Sequence, residues 1–198
     1  MATITLSRQL GSRGDEVAQA IAEHLGYRVV YRDLINAAAQ RAGTPELALE
    51  VLDVLGLLQT HPTSQARHAF QQALHELMVE LADQGKVIII GRAGCVLLRE
   101  RPDVFHVRLV APMTQRIERI AQQRALSPAA AQAQVEASDQ TRRAYLRQHH
   151  HANWDDPHLY DLVINMEKLT VDGAAALVCL ACTNHFSLHN SLLERPLG

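Results

Sequence analysis

The chain has 198 residues, 47% of them hydrophobic and 20% charged, a globular composition that excludes a disordered chain and suits one domain with its own core. Nineteen Lys plus Arg against 21 Asp plus Glu give a net charge of −2, which speaks against a broad nucleic-acid surface or a polybasic membrane contact. Three cysteines, Cys95, Cys179 and Cys182, are too few and too odd for a disulfide framework.

Ala2 to Leu6 form a β-rich opening strand, and a polar, glycine-containing stretch runs from Ser7 to Asp15. Val17, Ile21 and Leu25 then recur at i, i+4 and i+8, one helical face that Gly26 closes. Tyr27 to Tyr31 reads as a second strand. Asp33 can cap a helix from Leu34 towards Gly43, and Thr44-Pro45 opens another with Pro at its first position. After Pro62-Thr63-Ser64 a long helix carries Phe70, Leu74, Leu77, Met78 and Leu81 to a stop at Gly85. Val87 to Ile90 is continuously apolar, as a central parallel strand covered on both faces should be. Val104 to Val110 is another such run, followed by a helix from Met113 to about Ala125. Ser127-Pro128 starts a helix that becomes arginine-rich and gives way to a polar loop through His149-His150-His151. Asp161 to Asn165 supplies a fifth strand, and Thr170 begins the last helix. Strands alternating with helical crossovers predict an α/β fold, a five-stranded parallel sheet with helices on both faces. No apolar run reaches the roughly 18 residues of a membrane span, and the N-terminus reads as a strand rather than a secretory leader, so no membrane partner and a cytoplasmic location are expected.

Ligands of such sheets bind beyond the carboxyl ends of the strands. The loop from Ser7 to Glu16 joins a strand to a helix N-terminus, where converging N–H groups and the positive dipole end favour an anion. An ordinary βα turn with two glycines is the alternative, because G-x-x-x-x-G-K-[ST] is absent. Lys86 and Lys168 are the only lysines. Phosphate chemistry here must therefore use guanidinium groups.

Ile4-Thr5-Leu6-Ser7-Arg8-x-x-Gly11-Ser12-x-Gly14, Gly91-Arg92, Tyr145-Leu146-Arg147, Asn153-Trp154-Asp155-Asp156-Pro157 and Leu159-Tyr160-Asp161-Leu162-Val163-Ile164-Asn165 together resemble the cytidylate kinase-like family. Those proteins are relatives of the P-loop nucleoside monophosphate kinases. The resemblance implies a P-loop kinase-like domain over about residues 1–184, with a helical acceptor segment at about 34–84, an arginine-rich lid at about 127–157 and a tail at 185–198. Laid on a cytidylate kinase start, Arg8 falls on the first loop glycine and Gly14 on the lysine, while Asp15 and Glu16 replace small or hydroxyl residues. Relatives of this branch carry Gly-Ser-Gly-Gly, so Arg13 departs from them.

The resemblance implies that Gly11, Ser12, Arg13, Gly14, Asp15 and Glu16 hold the phosphates of ATP, with Arg8 and Arg13 as the cations that replace the lysine. Ser12 and Glu16 are the candidates for Mg²⁺, although complementing the helix dipole is the plainer role for Asp15 and Glu16. Arg92 matches the arginine that clamps an acceptor monophosphate; a surface ion pair is its alternative. Asp33 lies where the acceptor site begins, or caps its helix. Asp139, Arg142 and Arg143, with Arg147, match the lid that closes over the transferring phosphate. Their alternatives are an i,i+4 pair between Asp139 and Arg143 and solvated charge. Trp154 anchors the lid, and Cys179 and Cys182 are core cysteines. The implied activity is phosphoryl transfer from ATP to a nucleoside monophosphate, CMP or dCMP, with nucleotides as partners and a homodimer left open. A non-catalytic nucleotide-binding scaffold and a kinase for another small metabolite remain as alternatives.

Overall fold

The computed structural model describes residues 2–44 and 63–193; the helix expected to open at Thr44-Pro45 lies outside them. In chain order the elements are β1 (Thr3–Arg8), α1 (Gly14–Leu25), β2 (Arg28–Val30), α2 (Arg32–Arg41), α3 (Ser64–Gln84), β3 (Val87–Ile90), α4 (Gly94–Leu97), β4 (Val104–Val110), α5 (Met113–Arg124), α6 (Pro128–His150), β5 (Leu162–Asn165) and α7 (Val171–Leu193). The strands form one sheet in the order β2-β3-β1-β4-β5, every pair parallel.

Alternation along β3 shows how the layers form. Ile88 and Ile90 face α1 and α7, packing with Val17, Ile21, Ala174 and Val178. Val87 and Ile89 face the opposite layer, with Ile35 of α2 and Phe70, Leu74 and Met78 of α3. All four β3 side chains are buried, which is why the strand is uniformly apolar.

Three local expectations change. The second helix begins at Arg32 behind Tyr31, which makes no side-chain capping bond, so Asp33 is a first-turn residue rather than the cap. The expected polar loop at the histidines is helix as far as His150. His151 closes it at φ 51°, its N–H bonded to the Leu146 carbonyl. Ring contacts of Tyr145 with His149 at 5.0 Å and His150 at 5.5 Å keep that last turn wound. Cys182 is buried, its thiol pushed up to about 12, chiefly by burial; Cys179 is only partly buried, and both are free thiols.

Register is what assembles the site. Thr3 pairs with Val87 and Leu6 with Ile90, so continuing the same offset two residues further brings Arg8 level with Arg92. The Gly91 amide still donates to the Leu6 carbonyl at 3.0 Å beyond the last strand pair.

Candidate active site

The carboxyl ends of β1, β2 and β3 open into a cavity of about 290 Å³, roofed by α3 and α6. Arg8, Arg67, Arg92 and Arg142 line it, with Tyr31, Phe70, Tyr145 and Trp154 as its aromatic wall. Among the described residues no Asp or Glu lines it. Such a chamber offers fixed positive charge to an anion with a planar or apolar body.

Arg8 enters because the loop leaves room for nothing else. A Cβ on Gly14 would stand 2.5 Å from Arg8 Cβ and 2.6 Å from Arg8 Cγ. Any side chain at position 14 is thereby excluded, and the stem of Arg8 fills the space such a side chain would cross. The guanidinium then lies 4.8 Å over the Tyr31 ring, with its Nε 2.9 Å from Asp15 Oδ1. Gly11 answers a second close approach: at φ +80°, its Cβ would meet the Arg116 carbonyl oxygen at 2.7 Å. Backbone of α5 therefore braces the loop from below.

Arg13 and Arg8 part company. The Arg13 guanidinium donates to Glu16 at 2.8 Å on a half-exposed surface, and Arg13 does not line the cavity. Of the two cations expected together from the sequence, the structure brings only Arg8 into this cavity. Ser12 and Glu16, the residues expected at Mg²⁺, are both engaged within the chain. Ser12 is fully buried and its hydroxyl donates to the Gln9 carbonyl at 2.8 Å, while Glu16 is occupied by Arg13. Among the described residues no group of three His, Cys, Asp or Glu could hold a metal ion. Asp33 is exposed and lies off the cavity wall, which Tyr31 occupies instead.

Arg92, reached through Gly91 at φ +74°, sits at φ 53° and lies 5.9 Å from the Tyr31 ring centroid. Arg142 projects from α6 towards the same point. It donates to the carbonyl of Ser138 at 3.2 Å and to the Ser138 hydroxyl. Burial first, and the neighbouring charges of Arg8 and Arg92 after it, pull the Arg142 guanidinium down to about 10. Burial alone would raise the Tyr31 phenol, but Arg8 and Arg92 outweigh it and hold it below the usual range.

The remaining candidates build the frame. Asp139 does not pair with Arg143. It receives two hydrogen bonds from Arg116, at 3.2 and 2.9 Å, with both residues buried. Arg116 also reaches the Ala111 carbonyl at 3.1 Å and the Leu10 carbonyl at 3.4 Å, so one ion pair joins the glycine loop, α5 and α6. Arg143 instead donates to Asp155 Oδ2 at 2.6 Å, and Arg108 of β4 holds Asp155 Oδ1 at 2.6 Å. Burial would raise the Asp155 carboxyl, but these two guanidiniums bring it below the usual carboxylate range. Trp154 is the anchor expected of it: its Nε1 donates to Ser7 Oγ at 2.9 Å, and Arg108 lies 4.2 Å over its ring.

Tyr31, Arg67, Arg108 and Arg116 were not anticipated from the sequence. An arginine inside the apolar run Val-Phe-His-Val-Arg-Leu-Val is a signal that could have flagged Arg108, since a buried strand admits charge only with a partner. Tyr31, just past the end of a strand, carried a weaker one. Arg67 on the α3 surface carried none.

The Cytidylate kinase-like family matches this chain over residues 3–168. The cytidylate kinase of Pyrococcus horikoshii is 30% identical over 176 residues, which cover 88% of this chain and 85% of that protein. Among solved structures, an uncharacterized protein from Eubacterium ventriosum superposes with a TM-score of 0.73 at 18% identity, covering 92% of this chain and 99% of that one. A gluconokinase from Sinorhizobium meliloti gives a TM-score of 0.54 at 17% identity, covering 97% of this chain and 95% of its own. Likeness at such identities establishes the fold, which is that of the P-loop kinases.

Proposed function

The chain belongs to the cytidylate kinase-like family, and from that premise we propose that it transfers the terminal phosphate of ATP to a nucleoside monophosphate, with CMP or dCMP the expected acceptor. The observation that carries this reading is the convergence of Arg8, Arg67, Arg92 and Arg142 on one cavity at the carboxyl edge of the sheet. Phosphoryl transfer is mostly positioning and charge stabilisation, so the placement of cations matters more than their identity.

On this reading Arg8 supplies the donor-side charge. The stem of Arg8 fills the space in front of Gly14, where P-loop relatives carry a lysine. The α1 amides from Gly14 to Glu16, unpaired within the helix, face the donor phosphates. Arg92 grips the acceptor phosphate. Arg142 neutralises charge that develops between the two, and Arg143 holds the roof in place through Asp155. Asp139 acts through Arg116, as a brace rather than in contact with substrate. Residues 127–157 serve as the lid and the region of about 34–84 as the acceptor-side insert. Mg²⁺ enters with the nucleotide phosphates; Ser12 and Glu16 are engaged elsewhere, and no step is assigned to a protein-held metal.

Incubation with ATP and Mg²⁺ against a panel of nucleoside monophosphates and small hydroxylated metabolites, following ADP release, tests this. The expected outcome is turnover with CMP or dCMP that falls at least about a hundredfold in Arg8→Ala, the scale of a lost transition-state contact. ADP release with a metabolite and not with any nucleotide would move the acceptor class. No ADP release with any acceptor would leave a nucleotide-binding scaffold.

A further inference from the structure

Tyr31 occupies the N-cap position of α2 yet makes no capping bond there. Ser, Asp or Asn would hold that helix end better. The helix therefore does not account for a tyrosine. The cavity does: the Tyr31 ring has the guanidinium of Arg8 at 4.8 Å and that of Arg92 at 5.9 Å. The two arginines come from different strands, β1 and the turn after β3, and side by side their charges repel. The ring face attracts both.

We propose that Tyr31 is a positioning residue whose ring face holds Arg8 and Arg92 together in the ligand-free site until an oxoanion neutralises their charge. The proposal rests on the reading of the cavity as a phosphate site. It adds that the ligand-free cluster is kept in its binding arrangement by an aromatic side chain of this chain, so little reorganisation accompanies binding.

The surroundings of the phenol make the hand-over measurable. Arg8 from β1, Arg92 after β3 and Arg142 from α6 bear on it, and Arg67 and His149 line the same cavity from α3 and α6. Asp15 takes the outer edge of Arg8. Of the chain's four tyrosines, Tyr27 and Tyr145 are raised by burial and Tyr160 is pushed up to about 12, whereas Tyr31 is lowered. Among the tyrosines Tyr31 therefore ionises first. An oxoanion that neutralises Arg8 and Arg92 removes what holds it down, and its titration must move upward.

Tyrosinate absorbance of the full chain, titrated with and without inorganic phosphate or pyrophosphate whose binding is followed by calorimetry, is the test. One tyrosine should ionise below the ordinary phenol range, vanish from the titration in Tyr31→Phe, and move upward with saturating anion. Tyr31→Phe keeps the ring and should bind pyrophosphate within a few-fold of the parent; Tyr31→Leu, which loses ring and hydroxyl, should bind it about tenfold more weakly. Should Tyr31→Leu not fold, the titration of the parent chain against Tyr31→Phe still decides. An early step that stays put while calorimetry shows the anion bound would overturn the role of Tyr31 and leave the phosphate site standing. If neither anion binds the parent chain, the phosphate reading of the cavity fails and this proposal fails with it.

Discussion

Arg116 and Asp139 are 3% and 2% exposed and pair through two hydrogen bonds, whereas Arg142, almost one turn beyond Asp139 on α6, is turned towards Arg8 and Arg92 in a cavity that no carboxylate lines among the described residues. Buried charge is tolerable only when it is matched. The first region matches it internally and holds the glycine loop, α5 and α6 together. The second gathers like charge around an aromatic ring in a cavity open to a ligand. Within a few residues of one helix, the same residue type serves the fold at one point and binding at the other.

The comparison breaks most visibly at the matched pair. Asp139→Ala should lower the unfolding free energy by about 3–5 kcal/mol, because it strands a buried guanidinium. The double change Arg116→Met with Asp139→Leu should recover part of that loss, as read by denaturant unfolding. A loss below about 1 kcal/mol for Asp139→Ala would mean that water reaches the pair.

At the arginine cluster of the cavity the order reverses. Arg92→Ala should cost about 1.5–3 kcal/mol in binding of the acceptor monophosphate, the scale of a charge-assisted contact, with ATP affinity and melting temperature nearly unchanged. A melting temperature that falls while both affinities hold would move Arg92 into the frame.

Asp155 stands between the two regimes, tied to Arg108 and Arg143 yet 40% exposed in its side chain. Its carboxyl is lower in the folded than in the unfolded chain. Its contribution is therefore complete above the ordinary aspartate range, about pH 4, and is lost as pH falls through the folded value. Solvent screening limits it to about 1 kcal/mol. The stability difference between the parent chain and Asp155→Asn, measured over a pH series, should shrink on acidification; a difference that grows would reverse the sign of the shift.

The smallest effect is expected at Arg13, whose partner Glu16 shares an exposed surface. Arg13→Ala should change stability by less than about 1 kcal/mol and leave triphosphate affinity unaltered. A large loss of affinity would return Arg13 to the site beside Arg8.

Much of this was legible in the chain itself. The apolar runs Val87–Ile90 and Val104–Val110 are strands at those residues, and Thr63 and Ser127 cap their helices through their own hydroxyls. Such features depend on neighbours three or four residues apart, or on the period of a strand, and a sequence displays them directly. The loop stood out by its place between a strand and a helix, whereas Arg92 and the arginine-rich helix stood out through the resemblance to the cytidylate kinase-like family.

What only the tertiary structure decided is which charges meet. Sequence placed Arg8 and Arg13 in one loop with equal claims; the missing Cβ of Gly14 and the offset of β1 against β3 send Arg8 inward, while Glu16 draws Arg13 outward. Local spacing offered Asp139 to Arg143, but folding gave Asp139 to Arg116 and gave Arg143 to Asp155. Those partners lie 23 and 12 residues away along the chain. A guanidinium selects its carboxylate by distance and burial in three dimensions, and neither quantity exists until the sheet has brought its strands into register.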